Sequence, residues 1–114
     1  MQSLRIHKVN SLIQKHISQI INIQFSDHVS YTNINYIDTS KDLASTNIYV
    51  SFAVTNQEEE FKKLIKIKNL VQKYFGHTIK LKKTPKIRFI LDTNIDKINK
   101  IEKILDKISK NEKR

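Results

Sequence analysis

The sequence predicts a single α+β domain, and three observations carry that reading. Apolar residues recur at steps of three and four in three separate stretches, the spacing of one buried helix face. Between those stretches lie runs of β-branched and aromatic residues with a period near two, the spacing of strands with one face on a core. The one glycine and the one proline, Gly76 and Pro85, mark the end of the second helical region and the start of the third strand. The order read along the chain is helix, strand, strand, helix, kink, short helix, strand and a further C-terminal helix.

Ser3 is placed to cap the first helix, along which Leu4, Val9, Leu12, Ile13, Ile17, Ile20 and Ile21 form an apolar stripe about five turns long. The polar run Asn22 to His28 ends it. Val29 to Thr39 reads as a strand, Ser40-Lys41-Asp42 as a turn whose side chains bond nearby amides, and Asn47 to Val54 as a second strand pairing antiparallel with the first. Glu58, Glu59 and Glu60 then open a second helix, where three carboxylates complement the dipole at its N-terminus. Phe61, Leu64, Ile67, Val71 and Phe75 carry its buried stripe, Asn69 allows a kink, and Gly76 suits the C′ position. His77 to Thr84 is extended and basic. Pro85 opens a third strand over Lys86 to Asp92 with Ile87, Phe89 and Leu91 on one face. Ile95, Ile98, Ile101, Ile104, Leu105 and Ile108 give the final helix, and residues 109–114 form a frayed basic tail.

Composition excludes several kinds of chemistry. A phosphate-cradling loop, a dinucleotide fingerprint and a nucleophile elbow each need two or more glycines, so Gly76 alone supports none. Without cysteine there is no thiol nucleophile and no disulfide, and the four histidines (His7, His16, His28, His77) lack the spacing that sets two on one helical turn for a metal. Asp38 and Asp42 flank a turn, where carboxylates cap backbone amides rather than work as an acid/base pair. The expectation is a protein with no catalytic residues, no metal and no cofactor. Without a signal-peptide run or a stretch near the length of a membrane span, it is expected to be a cytoplasmic monomer that does not enter membranes.

Charge gives the positive signal. Between Phe61 and Leu91 stand ten basic residues and no acid, while the other 11 Lys and Arg are balanced by all 11 Asp and Glu. The formal net charge of +10 therefore resides in one stretch, which points to a polyanion. Lys62, Lys66, Asn69 and Lys73 follow one another at helical steps opposite the apolar stripe. Aromatic residues do not interleave with these lysines, Tyr74 and Phe75 being the only rings among them, so phosphate and shape contacts are expected rather than base stacking.

Two blocks of sequence resemble a known family. Ser40-Lys41-Asp42-Leu43 with Asn47-Ile48-Tyr49-Val50-Ser51-Phe52 is similar to the S-x-D-L…A-x-V-Y-V-S signature of bacterial ribosome-binding factor A. Gly76 and the run Ile79 to Asp92 are similar to that family's G-x-x-x-R-L-R-x-x-P-x-L-x-F-x-x-D block. The resemblance spans Leu4 to about Leu105. It implies a type II KH-like fold, α-β-β-α-(kink)-α-β, here with an additional C-terminal helix and one domain over residues 1–108. The family's kink is an Ala-x-Gly, which falls on Ile67-Lys68-Asn69 in this chain, with Ile and Asn at the two marker positions.

The resemblance further implies a non-catalytic assembly factor that binds the immature small (30S) ribosomal subunit and its 16S rRNA, promotes late maturation and rRNA processing, and works beside other factors such as a maturation GTPase. The residues expected to bind RNA are Lys62, Lys66, Lys68, Asn69 and Lys73 on the helix, Lys80, Lys82, Lys83, Lys86 and Arg88 toward the third strand, and Arg5 and Lys8 on the first helix. If about five of these charges neutralise phosphates, the logarithm of affinity falls against that of salt with a slope of roughly −3.5 to −4.5. The competing expectation is a protein-interaction module whose basic surface docks an acidic partner, with RNA contact incidental.

Overall fold

A computed structural model describes residues 4–79, 81 and 83–92. The first helix, α1, runs Leu4–Gln19 and continues into a π-helical turn at Ile20–Gln24. Strands β1 (Thr32–Thr39) and β2 (Ser45–Phe52) follow, then helix α2 (Gln57–Thr78) and strand β3 (Lys86–Leu91). The sheet order is β1-β2-β3, antiparallel between β1 and β2 and parallel between β2 and β3, with α2 as the crossover. The chain is a mixed α+β fold of two helices on one face of a three-stranded sheet. The expected C-terminal helix, the 109–114 tail and the Ser3 cap lie outside the described residues.

One core lies between the layers. Ile6, Val9, Ile13, Ile17 and Ile21 of α1 and its π turn meet Ile37, Ile48, Val50, Ile87 and Phe89 from the sheet and Leu64, Ile67, Val71 and Phe75 from α2, all buried. Each such side chain contributes roughly 1.5–3 kcal/mol by leaving water. Ile34 and Ile37 both pack toward this core although three residues apart, which strict alternation forbids. The register accounts for it: Ile34 faces Val50 and Tyr36 faces Tyr49, so Asn35 is an extra residue, bulged out of the ladder.

The turn between β1 and β2 forms as its sequence suggests. Asp42 Oδ1 accepts the Ser40 hydroxyl at 2.7 Å and the Ala44 amide at 3.1 Å, and the Ser40 hydroxyl oxygen accepts the Ser45 amide at 3.1 Å. Those bonds support Leu43 at φ 59°, the only non-glycine left-handed residue among those described, with its side chain buried. A left-handed residue costs about 1–2 kcal/mol, which the bonds and the burial offset.

Helix amides cover main-chain groups of both outer strands. Asn10 and Gln14 of α1 donate to the carbonyls of Ile37 and Ile34 at 3.3 and 3.4 Å, and Asn22 donates to the Thr32 carbonyl while accepting its amide, at 3.0 and 2.8 Å. The wider π turn rotates the chain less per residue, returning Asn22 to the line of Asn10 and Gln14. On the other edge, Gln72 donates to the Pro85 carbonyl at 3.1 Å and accepts the Ile87 amide at 2.7 Å.

The structure corrects several expectations, among them the second strand, expected over Asn47 to Val54 and found at Ser45–Phe52. No kink breaks α2: the helix is continuous for 22 residues through Ile67, Lys68 and Asn69, and Asn69 is right-handed. Asparagine in a helix interior costs at most about 0.7 kcal/mol, which the unbroken stripe Leu64, Ile67, Val71 and Phe75 outweighs. Gly76 is an interior helical residue rather than C′, since α2 ends two residues later, with the Ile79 amide bonded to the Phe75 carbonyl at 3.0 Å. His77 and Thr78 accordingly belong to the helix. β1 starts at Thr32 rather than Val29, whose side chain is buried in the core instead.

Candidate nucleic-acid interface

Helix α2 places part of the predicted site as its spacing requires. Leu64, Ile67, Val71 and Phe75 face the sheet, so Lys62, Lys66, Asn69 and Lys73, half a turn away, are exposed along the outer surface. Leu70 and Tyr74 flank this row with 49% and 43% of their surface in water. Lys68 is half-buried on the flank of the helix, and Arg5 and Lys8 are exposed on α1.

Not every charge of the stretch is equally available. Lys63 holds Glu60, a first-turn carboxylate left only 4% exposed, at 2.6 Å. The Lys63 ammonium first, then the Ser30 side chain and, less, the Ser30 amide, 3.0 Å from Oε1, keep the Glu60 carboxyl below its ordinary range despite burial. Asp42 is lowered too, chiefly by the Ser40 hydroxyl and the Ala44 amide, with a smaller contribution from exposed Lys83. Lys83 therefore sits near a carboxylate at the β1–β2 turn. Lys80 and Lys82 lie outside the described residues.

The two-layer architecture separates the remaining pair. On β3, Ile87 and Phe89 are buried, so Lys86 and Arg88 project from the opposite, open face of the sheet. The structure thus brings together Lys62, Lys66, Asn69 and Lys73, and sets Lys86 and Arg88 on the far side of the molecule from them. The acid-free stretch forms two surfaces, one on the helix and one on the open face of the sheet. Glu60 was not legible as an anchor from sequence, because its partner Ser30 is 30 residues away.

No group of three or more His, Asp or Glu side chains arranged for a metal occurs among the described residues, and none of their helices is long and apolar enough to cross a membrane. The chain falls in the class of small α+β modules that carry exposed basic side chains on both a helix and a sheet surface.

Comparison with known proteins places it more closely. The family described as ribosome-binding factor A matches residues 5–105. A Clostridium perfringens (strain 13) protein named ribosome-binding factor A is 30% identical over 113 residues, covering 95% of this chain and 97% of its own. The chain belongs to the ribosome-binding factor A family. Its fold is similar to the crystal structure of ribosome-binding factor A from Thermus thermophilus, with a TM-score of 0.64 at 12% identity over 75% of this chain and 93% of that one. A solution structure of a Thermotoga maritima protein, described as a putative ribosome binding factor A, gives 0.62 at 24% identity over 79% and 89%. Thermus thermophilus ribosome binding factor A, as a homology model fitted into a cryo-electron microscopy map of its 30S complex, gives 0.59 at 13% identity over 73% and 90%.

Proposed function

We propose that this protein is a cytoplasmic, non-catalytic assembly factor that binds the immature small ribosomal subunit through its 16S rRNA and promotes late maturation and rRNA processing. The observation that carries the reading is the exposed row Lys62, Lys66, Asn69 and Lys73 on a helix whose other side is locked into the core. Family membership supports the ribosome as the source of the polyanion, since a structural neighbour was fitted into a 30S complex. The element order and the β1-β2-β3 sheet support a type II KH-like fold, in a domain that we place over residues 1–108, with one unbroken helix where the family motif puts a kink. The protein acts as a monomer, with a maturation GTPase among its candidate co-factors in assembly.

Lysine is a strongly hydrated point charge on a flexible stem, so binding through this row is electrostatic and reads no sequence. Three lysines facing phosphates contribute roughly 2–3 units to the slope of log affinity against log salt. Replacing Lys62, Lys66 and Lys73 by glutamate is expected to abolish cosedimentation with immature small subunits while leaving thermal unfolding unchanged. Undiminished cosedimentation by that variant, or a salt-insensitive wild type, would remove the row from the interface.

A second reading rests on Leu70 and Tyr74, the exposed apolar side chains beside the lysines. They suit an acidic protein partner. Leu70→Ser separates the two, with Tyr74 kept because its ring packs edge-on against Phe25 at 5.5 Å: RNA-driven association is expected to persist and a protein contact to weaken.

A further inference from the structure

The open face of the sheet carries a second feature besides Lys86 and Arg88. Tyr36 of β1 stands directly opposite Tyr49 of β2, which neighbours Ile90 of β3, so one apolar row crosses all three strands. The tyrosine rings lie 5.6 Å apart and tilted by 53°, and Tyr36 leaves 55% of its surface in water. A single exposed tyrosine is ordinary; two rings registered side by side on the open face of a sheet offer adjacent π-faces, inclined to one another.

We infer that this face is a stacking surface for unpaired ribonucleotides. The inference rests on the ribosomal RNA reading above and adds a contact on the opposite side of the molecule from the lysine row. One general property of bases and three observations point to that occupant. Every base presents a π-face to an aromatic ring, whatever its sequence. Arg88 lies two residues from Ile90 on the same face of β3, about 7 Å along the strand, and Lys86 as far again, which suits a phosphate chain leaving the stacked bases. In the row of Arg88, Asn47 offers an amide to a base edge. The apolar row is one residue deep, bounded by Asp38, Asn47 and Arg88 on one side and by Asn35 and Asp92, joined at 3.0 Å, on the other. That width fits a base or two and is too narrow for the apolar centre of a protein interface.

The charges set a direction. Along β3, Arg88 and Lys86 stand on one side of the tyrosine row and Asp92 follows the strand on the other, so the nucleotide backbone leaves the stacked bases toward Arg88 and Lys86. The bulge at Asn35 is what brings Tyr36 into register with Tyr49.

The test uses the full chain with a labelled, unstructured oligouridine of about eight nucleotides, and compares Tyr36→Leu/Tyr49→Leu, which keeps apolar bulk, with Tyr36→Phe/Tyr49→Phe, which keeps the rings. The leucine pair is expected to bind roughly tenfold more weakly or worse with an unchanged salt slope, and the phenylalanine pair within about twofold of wild type. Equal binding by the leucine pair, or equal losses in both pairs, would overturn the inference. A photoreactive phenylalanine at position 36 should crosslink to rRNA in the small-subunit complex. Crosslinks only to a protein, to a second copy or to residues 93–114 would assign the face to that occupant instead and sink the proposal. If the wild type binds oligouridine yet fails to associate with the small subunit, the ribosomal reading fails and the stacking surface stands.

Discussion

The outer face of α2 and the open face of the sheet draw their cations from the same acid-free stretch, yet present them in different ways. On the helix, steps of three and four residues line up Lys62, Lys66 and Lys73 as separate flexible charges. On the sheet, the period of two sets Arg88 and Lys86 beside a pair of rings held in register by backbone hydrogen bonds. Flexible charge supplies attraction without orientation, whereas a rigid ring pair fixes the angle of whatever lies on it. One sequence feature, folded across two layers, thus yields two basic surfaces of different build.

The largest expected effect breaks both surfaces together. Phe75 is fully buried between α2 and the sheet, so Phe75→Ala should cost about 3–5 kcal/mol in denaturant unfolding. Small-subunit and oligouridine binding should then fall in parallel with the folded fraction. If either outlasts the other, the two faces do not share one core.

A smaller change sharpens the helix side. Glu60→Gln removes the charge that holds Lys63 and should cost about 1 kcal/mol at neutral pH. Because the Glu60 pKa is lowered on folding, its contribution is fully present above the unfolded value near 4.5 and is lost as pH falls through the folded one. The stability gap between wild type and Glu60→Gln should therefore be constant from neutral pH down to about 5.5 and close below about 4.5. A gap that widens in acid would contradict the assignment. Lys63, freed, should strengthen small-subunit binding slightly and leave oligouridine binding alone.

The smallest effect concerns the end of α2. A methyl group on Gly76 would meet only Thr84 Cγ2, at 4.0 Å, and the residue has helical rather than left-handed φ. Gly76→Ala should stabilise the fold by about 0.5–1 kcal/mol, measured as a raised midpoint of thermal unfolding. Destabilisation would restore the C′ role that its place in the sequence suggested.

Features decided by near neighbours were legible before the structure. The apolar stripes of α1 and α2, the Ser40–Asp42 turn and the antiparallel pairing of β1 with β2 all follow from spacing within a few residues. So did the exposed row on α2, because helical azimuth is fixed by residue number alone. What failed was set by distant partners. Asn69 tolerates a kink locally, but the stripe from Leu64 to Phe75 is buried along one unbroken helix. Tyr36 and Tyr49 meet only if the register and the Asn35 bulge are known. That Lys86 and Arg88 turn away from α2 depends on which side of the sheet the helices cover.

The amides of Asn10, Gln14, Asn22 and Gln72 share one further property: each precedes in the chain the strand it covers. A chain made from its N-terminus therefore carries the guard for β1 before β1 exists, and the guard for β3 before β3. An outer strand with bare main-chain groups is a template for any other extended peptide. During synthesis, when other unfinished chains are close by, this order of appearance shortens the time for which either strand can be captured by the wrong one.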